Sequence, residues 1–106
     1  YIVLKLFAFR DRRDDPVKEY GRYHAFDIYT SVAMMTEDQF EEAMDLKEKY
    51  ADHERLREAQ SITREFFGSL TDPGILRMRE HLRQVRIPED SVDLSGFLRD
   101  LHELMA

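Results

Sequence analysis

Apolar residues recur three and four apart along most of this chain, and the sequence offers no convincing strand pair. The last stretch shows the spacing most plainly. Leu94, Phe97, Leu98, Leu101, Leu104 and Met105 share one side of a helix expected from about Asp93 to Met105. Repeated between start and stop signals, this pattern confines the chain to an all-α fold, and six helical segments can be read.

The first, from about Ile2 to Arg13, is apolar nearly all round at its start, so periodicity alone admits a buried strand or a buried helix. Helix is favoured, because Leu, Lys, Ala and Arg continue it without a turn signal until Asp14-Asp15-Pro16. The second runs from Tyr20 or Arg22 to Met35. Thr36-Glu37-Asp38-Gln39 then reads as a capping box, in which the Thr36 hydroxyl accepts from an early amide and Gln39 reaches back. It opens a third helix with a one-sided apolar pattern at Phe40, Ala43, Met44 and Leu46. Asp52 is the expected N-cap of a fourth, which carries Leu56, Ala59, Ile62, Phe66 and Phe67 and is closed by Gly68. Thr71-Asp72-Pro73 opens a fifth, with Pro inside the first turn, and Ile87-Pro88 breaks it. No internal repeat or linker interrupts the series. Residues 1–106 therefore read as a single helical domain, an irregular bundle with the first two helices near its centre.

A chain of 106 residues can bury one modest core, and 42% hydrophobic with 36% charged residues is a globular balance. No apolar run approaches the roughly 18 residues of a spanning helix, so no membrane role is expected. The absence of cysteine excludes disulfides and thiolate metal sites and makes a cytoplasmic location the expectation. The chain opens directly on Tyr1-Ile2-Val3-Leu4, which reads as the C-terminal fragment of a larger protein.

The net charge of −6 is unevenly spread. Residues 1–24 hold six basic and four acidic side chains, a local +2 that leaves −8 on the remainder. An acidic body argues against an extensive nucleic-acid surface, but the basic stretch could meet one small anion.

Two charges stand out. Lys5 interrupts the apolar run Ile2–Phe9, and Asp27 interrupts Ala25–Ile28. A charge on the buried side of a helix costs several kcal/mol unless it is paired or shares a hydrated cleft. Opposite signs on consecutive helices suggest that the two face one another or a common cavity. One account is a structural ion pair that fixes helix register. The other is a binding cleft in which Lys5 meets an anion.

The surrounding residues add a resemblance. Lys5-Leu6-Phe7-Ala8-Phe9-Arg10-Asp11-Arg12, followed by a charged loop and His24-Ala25-Phe26-Asp27-Ile28-Tyr29, resembles a motif pair of nucleotidyltransferase-fold proteins related to bacterial abortive-infection toxins. In that family a K-L-x-A-x-x-x-R helix precedes a helix with a D-I/L-Y element. The likeness is close over residues 3–30 and looser over Thr36–His81. It implies a division of labour in which an N-terminal α/β domain, absent here, carries the metal-binding carboxylates on a Gly-Ser and Asp-x-Asp element. Lys5 would then reach a nucleoside triphosphate, neutralising charge as phosphoryl chemistry requires. Asp27 would orient Lys5 or the acceptor hydroxyl, and Arg10 and Arg12 would be further phosphate partners. Mg²⁺ would serve only together with that domain, and the fragment alone would be inactive.

One departure from the family's pattern matters. A basic residue and an acid commonly stand about three positions before the aspartate matched by Asp27, whereas this chain has Tyr23 and His24 there, with Arg22 one further back. Either the protein is a non-enzymatic relative or His24 handles a proton, since its ordinary pKa lies near neutrality. A structural role for His24, packed at the helix start near Tyr20, is the plain alternative.

Other residues read as structural. His53, His81 and His102 lack zinc-ligand spacing and are expected at the surface or as caps. Met34, Met35, Met44, Met78 and Met105 are expected as core filler, with a Met-rich groove for a partner helix as the alternative. A different class of function also fits the sequence, a non-catalytic helical interaction module. There Lys5–Asp27 is only a buried pair, and the last helix docks a protein partner or a second copy.

Overall fold

A computed structural model describes residues 1–105. Six α-helices follow one another: α1 (Ile2–Arg12), α2 (Arg22–Ala33), α3 (Glu37–Lys49), α4 (Glu54–Phe66), α5 (Pro73–Gln84) and α6 (Leu94–Met105). Short 3-10 turns lie at Pro16–Gly21 and Glu89–Ser91, and no strand occurs among the described residues. The all-α bundle of six helices expected from periodicity is what forms. Among the described residues, no helix is long and apolar enough to cross a membrane.

α1 and α2 form an antiparallel pair at the heart of the bundle. α2 packs on α1, α5 and α6, and α1 packs in addition on α4. The turn joining them is held at its start by Asp15, whose carboxylate accepts the Val17 N–H at 3.0 Å. It is tight because Glu19, Tyr20 and Gly21 all take left-handed backbone angles, with φ of 52°, 58° and 75°. Two non-glycine residues in that region cost on the order of 1 kcal/mol or more each. The Glu19–Arg22 ion pair at 2.9 Å and the Arg77 guanidinium 4.4 Å from the Tyr20 ring brace them. Gly21 is required twice over, since a Cβ there would also meet Phe9 at 3.3 Å.

The core is aromatic at its centre. Phe9, fully shielded, sits 5.8 Å from the Phe66 ring and 5.3 Å from Phe67, and Phe67 in turn meets Phe97 at 6.3 Å. Leu6, Ile28, Ile75, Met78 and Leu101 close around them. α3 differs from the other helices in having no fully buried residue.

Several boundaries match the sequence pattern and several do not. The capping box forms, with Gln39 N–H donating to Thr36 Oγ1 at 3.2 Å and Thr36 N–H to Gln39 Oε1 at 2.9 Å. α4 is capped by His53 instead of Asp52. The His53 Nδ1 accepts from Arg55 N–H at 3.2 Å, while Asp52 pairs with Arg57. Gly68 does not supply a left-handed stop; α4 ends as the bulky Phe67 turns into the core. Asp72 and Pro73 do open α5. The Asp72 carboxylate, however, reaches backward to accept the N–H groups of Gly68 and Ser69 at 2.8 and 2.9 Å, and so fastens the α4–α5 turn. Met34, just past the end of α2, is largely exposed and fills no core, unlike Met78 and Met105.

Candidate functional site along the α1–α2 seam

Lys5 and Asp27 meet across the seam between the two central helices, with Nζ 2.8 Å from Oδ2. Neither is sealed from water, as 23% of the lysine side chain and 39% of the aspartate remain accessible. The pair is therefore half-open, neither a dry core ion pair nor a fully solvated one. The hydrogen bond to Asp27 raises the Lys5 pKa above its ordinary value, partly offset by desolvation and helped by the carboxylate's charge. The Tyr1 ring lies 5.6 Å from Nζ, one turn before it on the same helix face. On α2 the Asp27 carbonyl accepts the hydroxyls of Ser31 at 2.7 Å and Thr30 at 3.1 Å.

His24 stands one turn before Asp27 and is half-buried, with its Nδ1 shielded and without a hydrogen-bond partner. Burial pushes its pKa below the ordinary value. The Lys5 and Arg12 cations act in the same direction, and Asp27 opposes them. The ring is thus neutral near pH 7. Arg12, two turns along α1 from Lys5, is exposed and lies close enough to be felt by His24. The seam therefore gathers Lys5, Arg12, His24 and Asp27.

Arg10 does not join them. Five residues from Lys5 places it about 140° around the helix. It faces α4, bonds Glu58 and Asp11, and lies 4.9 Å from the Phe7 ring. Its pKa is raised first by the Glu58 hydrogen bond.

His81 is the residue the sequence pattern misplaced. Expected at the surface, it is 5% exposed, 4.5 Å from the Phe26 ring and 4.9 Å from Tyr23, with a shielded and unpartnered Nδ1. Burial is the first cause that lowers its pKa. Arg22 adds to the lowering, while Asp27 and Glu19 oppose it. The signal was present in Ile75, Met78 and Leu82, whose spacing marks the inner face of α5 on which position 81 also falls. His102 is half-buried as well, its Nε2 2.7 Å from the Phe67 carbonyl oxygen, which ties α6 to the end of α4. Only His53 plays the cap role expected of the three.

The seam does not have the donor set of a metal centre. Asp27 is engaged by Lys5, and no group of three or more His, Asp or Glu side chains converges among the described residues.

Beyond Tyr1 and Ser31 the seam opens into an apolar groove of about 640 Å³. The ends of α1, α2 and α6, the inner side of α3 and the first turn of α4 wall it. Comparison of the chain with family models, with curated proteins and with solved structures finds no match.

Proposed function

We propose that the α1–α2 seam forms one wall of a nucleoside-triphosphate cleft, and that the chain acts as the helical C-terminal part of a nucleotidyltransferase of the abortive-infection-related kind. One observation carries the reading. Two charges that each interrupt an apolar helix meet at 2.8 Å while still open to water, beside a neutral histidine and a second cation. The likeness of residues 3–30 to the family's motif pair supports it.

In this reading Lys5 Nζ donates to a phosphate oxygen and offsets charge that builds on the phosphoryl group. Asp27 holds Nζ in place and keeps it protonated. Arg12 adds a forked cation at the exposed end of the seam. His24, neutral near pH 7, is available to take a proton from an acceptor hydroxyl in place of the family's acid. Arg10, turned toward Glu58, has a structural role. Mg²⁺ and the carboxylates that bind it would come from an N-terminal α/β domain, and the location would be the cytoplasm.

The competing interaction-module reading placed its docking face on the last helix. In that helix Leu94, Phe97, Leu101, Leu104 and Met105 pack in the core, and the last two also border the groove beside the seam. Titration of the intact protein with each Mg²⁺–ribonucleoside triphosphate, wild type against Lys5→Ala, tests the cleft. A loss of about tenfold or more in affinity is expected for removing a charge-assisted contact. Equal affinity would remove Lys5 from the site, and no binding of any triphosphate by the wild type would remove the cleft itself.

A further inference from the structure

The groove beside the seam has a chemistry the nucleotide reading does not use. Its walls are apolar: Ile2 and Val3 of α1, Met35 after α2, Ala43 and Leu46 of α3, and Leu56 of α4. Of its polar residues, Lys47, Tyr50, His53 and Arg55 lie where α3 gives way to α4, and none of the residues lining it is an Asp or Glu. In a chain with net charge −6, an apolar groove without a carboxylate is a specific arrangement.

The polar groups there donate. Arg55 lines the groove with its guanidinium 4.9 Å from the Phe7 ring, and Glu58, one turn further along α4, is engaged by Arg10. His53 accepts a backbone N–H at Nδ1, so the neutral ring carries its proton on Nε2. A head group that only accepts hydrogen bonds and carries negative charge complements this set. An apolar body complements the rest.

A volume of about 640 Å³ falls within the usual range of small-molecule sites, which are mostly apolar with a few convergent polar groups. The helix geometry explains why the space is open. α3 buries no residue completely, so Phe40, Ala43 and Met44 lean on the core without closing against α1 and α4.

We propose that this groove is a binding site for a small amphipathic carboxylate, with its apolar chain between α1, α3 and α4 and its carboxylate against Arg55 at the α3–α4 end. The site adjoins the nucleotide cleft at Tyr1, but the proposal does not rest on that cleft.

Decanoate, kept below its micellar concentration, is the probe, and its uncharged analogue decanol is the control. Titration is followed by calorimetry and by backbone amide shifts. Saturable decanoate binding is expected, with shifts concentrated at Val3, Leu46 and Leu56 and with decanol about tenfold weaker or more. Arg55→Gln should weaken decanoate by a similar factor and leave decanol unchanged. Leu46→Glu, at a half-exposed position that should leave the helix folded, should abolish both. Lys5→Ala should alter neither. Three results would overturn the site: no saturable binding by the wild type, decanol binding as tightly as decanoate, or shifts centred away from the groove. An acidic amphipathic peptide that bound where decanoate did not would assign the groove to a protein helix and overturn the small-ligand proposal. The wild-type shift map decides the matter even if a variant fails to fold.

Discussion

Lys5 reaches Asp27 across the α1–α2 seam at 2.8 Å, and both side chains keep contact with water. Because solvent screens such a pair, its direct contribution to stability is small, about 1 kcal/mol or less. Lys5→Ala and Asp27→Asn should therefore shift the urea midpoint only slightly, whereas Phe9→Ala, at the shielded centre of the aromatic cluster, should cost about 3–5 kcal/mol. A large urea shift for Lys5→Ala would make the pair a structural keystone and weaken the case for a cleft.

His81 makes the fold sensitive to acid. Its folded pKa lies below the ordinary value because burial disfavours the cation. The unfolded chain takes up that proton near pH 6.5, before the folded chain can. The stability that His81 confers is thus fully present above that pH and is lost as the pH falls toward the lower folded value. His24 acts with the same sign. Thermal melts between about pH 7 and 5 should show the midpoint falling, and His81→Leu should flatten the slope. An equal slope in the variant would place the acid sensitivity elsewhere.

Gly74→Ala should destabilise, although the same change on an exposed helix surface usually gains about 1 kcal/mol. An added Cβ would lie 2.6 Å from the Phe66 carbonyl oxygen and press into the Phe67 ring. Both neighbours are buried and cannot retreat, so a loss of about 1–3 kcal/mol is expected in chemical denaturation.

Asp72→Ala should loosen the α4–α5 turn. It leaves the N–H groups of Gly68 and Ser69 without their carboxylate, a cost of about 1–3 kcal/mol. Thr36→Ala, which removes one half of a box that also keeps a Gln39 contact, should cost about 1 kcal/mol. If Asp72→Ala proved the milder of the two, water would be replacing the carboxylate at the turn.

Most of the helical architecture was legible because it depends on local rules. The capping box, the Pro at the start of α5 and the three-to-four spacing of α6 each act within a few residues, and each is realised. The Lys5–Asp27 meeting was also legible, since two stranded charges of opposite sign on adjacent helices have few other ways to be satisfied. What sequence could not supply was rotation and reach. Arg10 and Arg12 both read from the sequence as phosphate partners, but two residues of helix turn them to different faces. Asp72 sits where a cap is expected, yet bonds backward, because the Phe67 turn brings two unpaired amides within its range. The groove arises where the ends of several helices come together, and no segment alone encodes it.

α3 leans on the body of the protein without a single fully enclosed side chain. Its opening should therefore require less free energy than melting the Phe9–Phe67 cluster. Under native conditions deuterium should replace its amide protons well ahead of those of α1 and α2. A state with five helices assembled and one detached should then be the first that the chain visits on opening.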